Sequence, residues 1–177
     1  MITYTKARTK DELEQILQLQ QKNLFENLSE DERITQGFVT VKHSFEILKK
    51  MNDSCKHTIA VYNDKVVGFA LSMTKEFSND IPILQPMFIE ISKSVTDDNY
   101  ITMGQICIDK EYRGLGIFRG LYKFMKTEIC ASRFSSIITE IDIKNKRSLK
   151  AHEAIGFQKI KDYKSGDKIW RLVKLQV

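Results

Sequence analysis

Long apolar runs, paired cysteines and clustered metal ligands are what this sequence lacks, and each absence closes a class of protein. No stretch approaches the ~18 uninterrupted apolar residues of a membrane helix. The opening Met1-Ile2-Thr3-Tyr4-Thr5-Lys6 has no apolar signal region, so a cytoplasmic location and no membrane partner are expected. Cys55, Cys107 and Cys130 are odd in number and far apart, which excludes a disulfide framework and a CxxC motif; they read as buried thiols in a reducing compartment. No His, Cys or carboxylate cluster has metal-ligand spacing, so no metal is expected. A P-loop is missing too, because no Gly-Lys is followed by Ser or Thr. With two prolines, and without repeat, low-complexity tract or linker, the 177 residues suit one domain, 1–177, around one core.

What is present is ordinary globular composition, 42% hydrophobic and 29% charged. The net charge of +5 is small and interleaved with acids such as Glu30, Asp31, Asp97 and Asp98. Nucleotide phosphates satisfy it as well as nucleic acid would, and no nucleic-acid partner is expected.

Alternation over residues 2–7 predicts a strand, and Thr9 with Glu12 a capping box for a helix carrying Leu13, Ile16 and Leu17. Polar residues 27–36 read as a loop, and Phe45, Ile47, Leu48 and Met51 as a short helix. Strands from about His57 to Tyr62 and Lys65 to Met73 join at an Asn63-Asp64 hairpin turn. Residues 77–99, broken by Pro82 and Pro86, read as a lid or side wall that becomes helical after Pro86. A strand over Tyr100–Ile108, a helix over Gly116–Ile129 and a strand over Ser136–Ile143 make a βαβ unit with parallel strands. A helix from Ser148 to Ile155 ends at Gly156, and a hairpin over Phe157–Tyr163 and Ile169–Leu175 turns at Ser165-Gly166-Asp167. The expected class is α/β with a mixed sheet.

The informative segment is Arg113-Gly114-Leu115-Gly116-Ile117-Phe118-Arg119, between a strand and an amphipathic helix. Glycines let backbone approach a ligand, and the first helical N–H groups lack internal acceptors at the positive end of the helix dipole. Arg113, Arg119, Lys123 and Lys126 add charge, so a diphosphate is the natural occupant; a plain tight connection is the other reading. A dinucleotide fingerprint does not fit, since Arg119 stands where its third glycine belongs.

Arg113-x-x-Gly116, with Lys110-Glu111-Tyr112 before it, resembles the phosphate-binding signature of the GCN5-related N-acetyltransferases, although Phe118 replaces the small last residue. Asn145-x-x-Ser148-x-x-x-His152-x-x-x-Gly156-Phe157 is similar to the later motif of the same family, with His152 where a tyrosine is usual. The resemblance implies a GNAT-like fold with a central mixed sheet of about seven strands flanked by helices. It further implies acetyl-CoA, or another acyl-CoA, lying where the strand from Tyr100 and the strand from Ser136 splay apart. The backbone of Ile106, Cys107 and Ile108 would pair with the pantetheine arm, residues 114–119 would hold the pyrophosphate, and Asn145 and Ser148 would contact or support the arm. Asn145 has helix capping as a second reading.

The activity so implied is direct transfer of an acetyl group to a primary amine of a small molecule or protein; a non-catalytic acyl-CoA-binding regulatory module is the alternative. His152 stands at the position of the family's acid, against a reading as a groove-filling helix residue. Thr102 stands where some members carry a glutamate. Glu140, on the strand facing the cleft, is the preferred base, against a reading as a plain edge acid, with His43 and Glu90 behind it; Gln105 and Tyr100 are candidates for orienting substrate. The terminal hairpin offers a surface for a homodimer.

Overall fold

Strands β1 (Thr3–Lys6), β2 (Thr58–Tyr62), β3 (Lys65–Met73), β4 (Tyr100–Ile108), β5 (Ser136–Asp142), β6 (Gln158–Ser165) and β7 (Lys168–Gln176) form one mixed sheet in the computed structural model, in the order β1-β2-β3-β4-β5-β7-β6. The structure describes residues 1–130 and 134–177; the Cys130 side chain lies outside what it describes. Six helices flank the sheet among the described residues: α1 (Lys10–Asn23), α2 (Glu30–Gln36), α3 (Phe45–Ser54), α4 (Gln85–Ser94), α5 (Ile117–Cys130) and α6 (Lys146–Glu153).

Local chemistry sets most of these boundaries. Thr9 and Glu12 exchange side-chain and backbone hydrogen bonds in the capping box that starts α1. Asn63 and Asp64 take positive φ, 47° and 60°, as a two-residue hairpin turn requires. Pro86 sits in the first turn of α4, where a missing N–H costs nothing, so the helix opens at Gln85, just before it. Residues 27–36 correct the expectation of a loop: Ser29 accepts from Glu32 N while Glu32 returns to Ser29 N, and a helix forms where composition suggested none.

The sheet carries a core on each face. On one, Leu13, Ile16, Leu48, Met51, Met87 and Ile91 from α1, α3 and α4 pack on Ile59, Phe69, Leu71, Ile138 and Leu172. On the other, Ile117, Leu121, Met125 and Leu149 from α5 and α6 cover Val67, Ala70, Ile101, Ile137 and Val173. The interruption that matters lies in the middle. β4 and β5 pair in parallel only at Tyr100–Ser136, Ile101–Ile137 and Thr102–Ile138, though both strands run on to Ile108 and Asp142. Beyond Thr102 they diverge, each still held on its far side, β4 by β3 and β5 by β7. The expected parallel pair is thus a V, and its open half is a cleft in an otherwise continuous sheet.

Candidate active site

Two connected hollows fill the V. The outer one, ≈ 290 Å³, lies between the turn before α5, the end of β4, the start of α6 and the segment after α2. It brings together Ile106, Cys107, Ile108, Arg113, Gly114, Gly116, Ile117, Phe118, Asn145 and Ser148, ten of the residues singled out from sequence. Leu115 and Arg119 stand exposed beside it without lining it.

The turn has the conformation its glycines were expected to permit. Gly114 and Gly116 adopt φ of 80° and 76°, and a Cβ at either would meet no atom within 4 Å, so this backbone faces open space. The first backbone hydrogen bond of α5 runs from Gly120 N to Gly116 O at 3.0 Å, which leaves the amides of Gly116 to Arg119 as the helix's orphan donors. On the facing strand, Asp109 N donates to Val67 O of β3 at 2.9 Å. Backbone direction alternates along a strand, so the Ile108 and Ile106 amides turn to the cleft. Nearer the vertex, Thr139 Oγ1 donates to Met103 O at 2.8 Å and ties the two arms together.

Arg113 corrects one expectation. Its guanidinium donates inward, to Asn23 Oδ1 (2.7 Å), Gln36 Oε1 (2.9 Å) and Ile108 O (3.1 Å), instead of standing free beside the glycines. Burial lowers its pKa from the ordinary value. The charge braces the turn against α1 and α2. Sequence reading missed the residues that complete this wall: Asn23, Gln36, Gly37, Phe38, Val39 and Arg147. Arg147 donates to Thr35 O at 3.0 Å, and Asn145 Nδ2 to Phe38 O at 3.4 Å, so α6 and the segment after α2 are stitched together across the cleft. Asn145 also caps α6, its Oδ1 accepting from Ser148 N at 3.1 Å.

The inner hollow, ≈ 80 Å³, shares Phe38, Val39, Ile106, Asn145 and Ser148 with the outer one and reaches Glu140, Gln105, Leu84 and Trp170. Glu140 lies on the same face of β5 as Ile138, and its Oε2 accepts from Tyr163 of β6. Burial pushes this carboxyl up to about 7, with the Tyr163 hydroxyl pulling the other way. A carboxylate that gains a proton near neutrality is suited to accept one from a bound amine. Gln105 is fully committed, donating to Val41 O and accepting from Gln20 Nε2, both at 2.8 Å.

His152 does not have the geometry of an acid. Nδ1 lies 2.7 Å from Ser148 O, an acceptor only, so Nδ1 carries the hydrogen and Nε2 accepts from Tyr122 Oη at 2.8 Å. Phe118, Tyr122 and Phe157 surround the ring at centroid distances of 5.0 to 5.5 Å, and burial pushes its pKa down to about 4. The ring borders the inner hollow with both nitrogens engaged by neighbours, an arrangement that favours the neutral form and fits the groove-filling reading. The lesser candidates fall outside the hollows: Thr102 is fully buried, His43 is buried behind α1, and Glu90 is paired with Lys93 and Lys161. Tyr100 lies at the paired end of β4, away from the open half of the V. Cys107 is buried and pushed up to about 12, so it is a thiol and no nucleophile, while Cys55 is partly exposed where burial was expected.

Comparison with known proteins agrees with this geometry. The family model described as "Acetyltransferase (GNAT) family" matches residues 13–157. No curated protein matches the sequence. Among solved structures, the ribosomal-protein-S18-alanine N-acetyltransferase from Escherichia coli superposes with a TM-score of 0.68 at 15% identity, covering 99% of this chain and 94% of that one. Ard1 from Thermoplasma volcanium gives 0.70 at 12%, with 99% and 97% covered. YncA from Salmonella typhimurium, solved with its cofactor acetyl-CoA, gives 0.65 at 13%, with 99% and 93% covered. At these identities the likeness establishes the fold alone.

Proposed function

Because this chain belongs to the GNAT acetyltransferase family, we propose that it transfers an acetyl group from acetyl-CoA, or another acyl-CoA, to a primary amine by direct attack in a ternary complex. The observation that carries the reading is the divergence of β4 from β5 beyond Thr102, which opens a cleft directly onto the orphan amides at the start of α5. The amides of Gly116 to Arg119 would hold the pyrophosphate at the positive end of the helix. The cleft-facing amides of Ile106 and Ile108 would pair with the pantetheine arm as an added strand does, and polarise the thioester carbonyl. Asn145 and Ser148 would border the arm from α6.

Glu140 would act as the base. An alkylammonium, with a pKa near ~10.4, must lose a proton before its nitrogen can attack. The coenzyme thiol, with a pKa near ~8.5 like other thiols, is a good enough leaving group to depart as thiolate and take its proton afterwards. No side-chain acid is needed, consistent with the neutral His152. A non-catalytic acyl-CoA-binding module is the alternative, favoured by Phe118 in place of the signature's small last residue and by Thr102 where some members of the family carry a glutamate.

Gly116→Asp tests the cofactor site. Aspartate tolerates positive φ better than most residues, so the fold should survive while a carboxylate faces the phosphates. Calorimetric titration should show acetyl-CoA bound at least tenfold more weakly, about 1.4 kcal/mol or more. Unchanged affinity would place the pyrophosphate elsewhere. Steady thiol release with amines separates the enzyme from the binding module.

A further inference from the structure

Segment 37–43 runs past both hollows and, apart from a bridge at Val39, belongs to no helix or strand. Gly37 lines only the outer hollow, Phe38 and Val39 line both, and Thr40 and Val41 line only the inner one. Different residues hold its two ends. Toward the outer end Asn145 Nδ2 donates to Phe38 O at 3.4 Å, and Val39 N donates to Asn23 O at 3.0 Å. At the inner end two buried glutamines form a chain. Gln105 Nε2 donates to Val41 O at 2.8 Å, Gln20 Nε2 to Gln105 Oε1 at 2.8 Å, and His43 N to Gln20 Oε1 at 2.9 Å. A backbone N–H only donates and a carbonyl only accepts, so the ends of the chain dictate which way round both amides lie. Packing alone asks for neither glutamine. Gln20 stands in the buried stripe of α1 with Leu13 and Ile16, where an apolar side chain would need no partner. Gln105 reaches that helix because Gly104 is an extra residue in β4, opposite the step from Leu71 to Ser72. The bulge changes the phase of the pleat: Met103 packs in the core under α5, whereas Cys107 joins the core under α1 and Gln105 bonds α1 itself.

We infer that Gln105, backed by Gln20, is a positioning residue for the acceptor: its amide holds residues 40–43 as a fixed wall of the inner hollow and so sets where an incoming amine lies relative to the thioester. The inference rests on the transferase reading above. Gln105 acts through the segment and takes no part in making or breaking bonds. Among the described residues, no other hydrogen bond ties residues 40–43 to β4 or α1. Cutting the chain therefore frees this wall, and it leaves Val41 O or His43 N without its buried partner. The attachments through Asn23 and Asn145 stay in place, so the wall of the outer hollow keeps its position. Amine placement and cofactor binding thus depend on different hydrogen bonds of one segment. A displacement of ~1 Å in a reacting group can cost about a hundredfold in rate, so a loosened wall should register in turnover.

Gln105→Leu in the full chain keeps the bulk of the side chain and removes both of its hydrogen bonds. Hydrogen exchange over residues 40–43 should quicken at least about tenfold, while exchange in α5 and the calorimetric Kd for acetyl-CoA stay within about twofold. Thiol release is then followed with the best acceptor of a panel holding butylamine, Nα-acetyl-lysine amide and alanine amide. The kcat/KM for the amine should fall at least about tenfold while the KM for acetyl-CoA stays within about twofold. Gln20→Leu, a second route should the first variant not fold, should show the same split. The double variant should lose no more than about twofold beyond the more affected single one, because both substitutions cut one chain. Unchanged exchange over residues 40–43 overturns the clamp. Quickened exchange with unchanged amine kinetics, or equal losses for amine and acetyl-CoA, overturns the positioning role; each of these leaves the transferase reading standing. Acetyl-CoA binding by the parent protein without thiol release to any amine of the panel removes the transferase reading and the inference with it.

Discussion

At the scale of single residues, the proposed base Glu140 and the Tyr163 hydroxyl that bonds it offer the first test. The carboxyl is pushed up to about 7 by burial, and the Tyr163 hydroxyl favours its ionised form. Other charges nearby are already spoken for: Glu90 of α4 is paired with Lys161 at 2.5 Å and Lys93 at 2.8 Å, and His152 is neutral. Tyr163→Phe removes the one hydroxyl that stabilises the anion, so Glu140 should titrate higher. A hydrogen bond to a charged group contributes about 1.5–3 kcal/mol, so the acidic limb of the kcat/KM profile should move up by at least about one pH unit. Activity at pH 9 and acetyl-CoA affinity should stay within a few-fold of the parent. A limb that does not move would remove Glu140 as the base. That Glu140 borders the inner hollow follows from its strand together with the cleft the family resemblance implied, since the pleat decides which face a side chain takes. The environments of His152 and Arg113 do not follow in that way: Tyr122 is 30 residues from His152 in sequence, and Asn23 is 90 from Arg113. Sequence places such residues on elements but does not say which distant groups meet them.

At the scale of elements, what was readable is what short-range chemistry determines. The Thr9–Glu12 capping box, the Asn63-Asp64 turn and the glycine turn before α5 all stand where spacing put them. α2 carried the same capping signature at Ser29 and Glu32, outweighed by its polar composition and its lack of an apolar stripe. The V between β4 and β5 has no local signal, since it depends on where two strands stop pairing. The cleft's far wall follows from that same long-range placement. Gly120 shows how tightly the frame around it is set. A Cβ there would collide with the ring of Tyr4 on β1, so β1 rests directly on α5. Alanine gains about 1 kcal/mol of helix propensity over glycine, but overpacking against a rigid ring costs typically ~1–3 kcal/mol. Gly120→Ala should therefore leave the protein less stable by about 1 kcal/mol in chemical denaturation, the difference between the two effects at the middle of the packing range. A neutral or stabilising result would mean that α5 does not lie against β1 at this distance.

At the scale of the whole molecule, the three histidines make folding dependent on pH in one direction. Burial pushes His43 and His152 down to about 4 and His57 to about 3. Hydrogen bonding fixes two of them as neutral tautomers: His57 Nε2 donates to Leu48 O while Nδ1 accepts from Ser72 N, both at 3.1 Å, and His152 donates to Ser148 O while accepting from Tyr122. The unfolded chain has histidines near ~6.5, so between pH 6 and 4.5 it binds three protons that the folded protein refuses. Glu140 works in the opposite sense. Its folded pKa, about 7, lies above the unfolded value, so in the same window the folded state holds one proton that the unfolded state has released. The unfolded state still binds about two more protons, and stability should fall as pH drops, by up to about 2.7 kcal/mol per unit. Urea denaturation between pH 7.5 and 4.5 measures this directly. A flat profile, or one rising toward acid, would mean that these rings are not held neutral in the folded protein. Glu140→Gln should steepen the loss by about half, because it deletes the one group that favours the folded state as acid is added; the effect would appear in stability even where no acceptor amine is present.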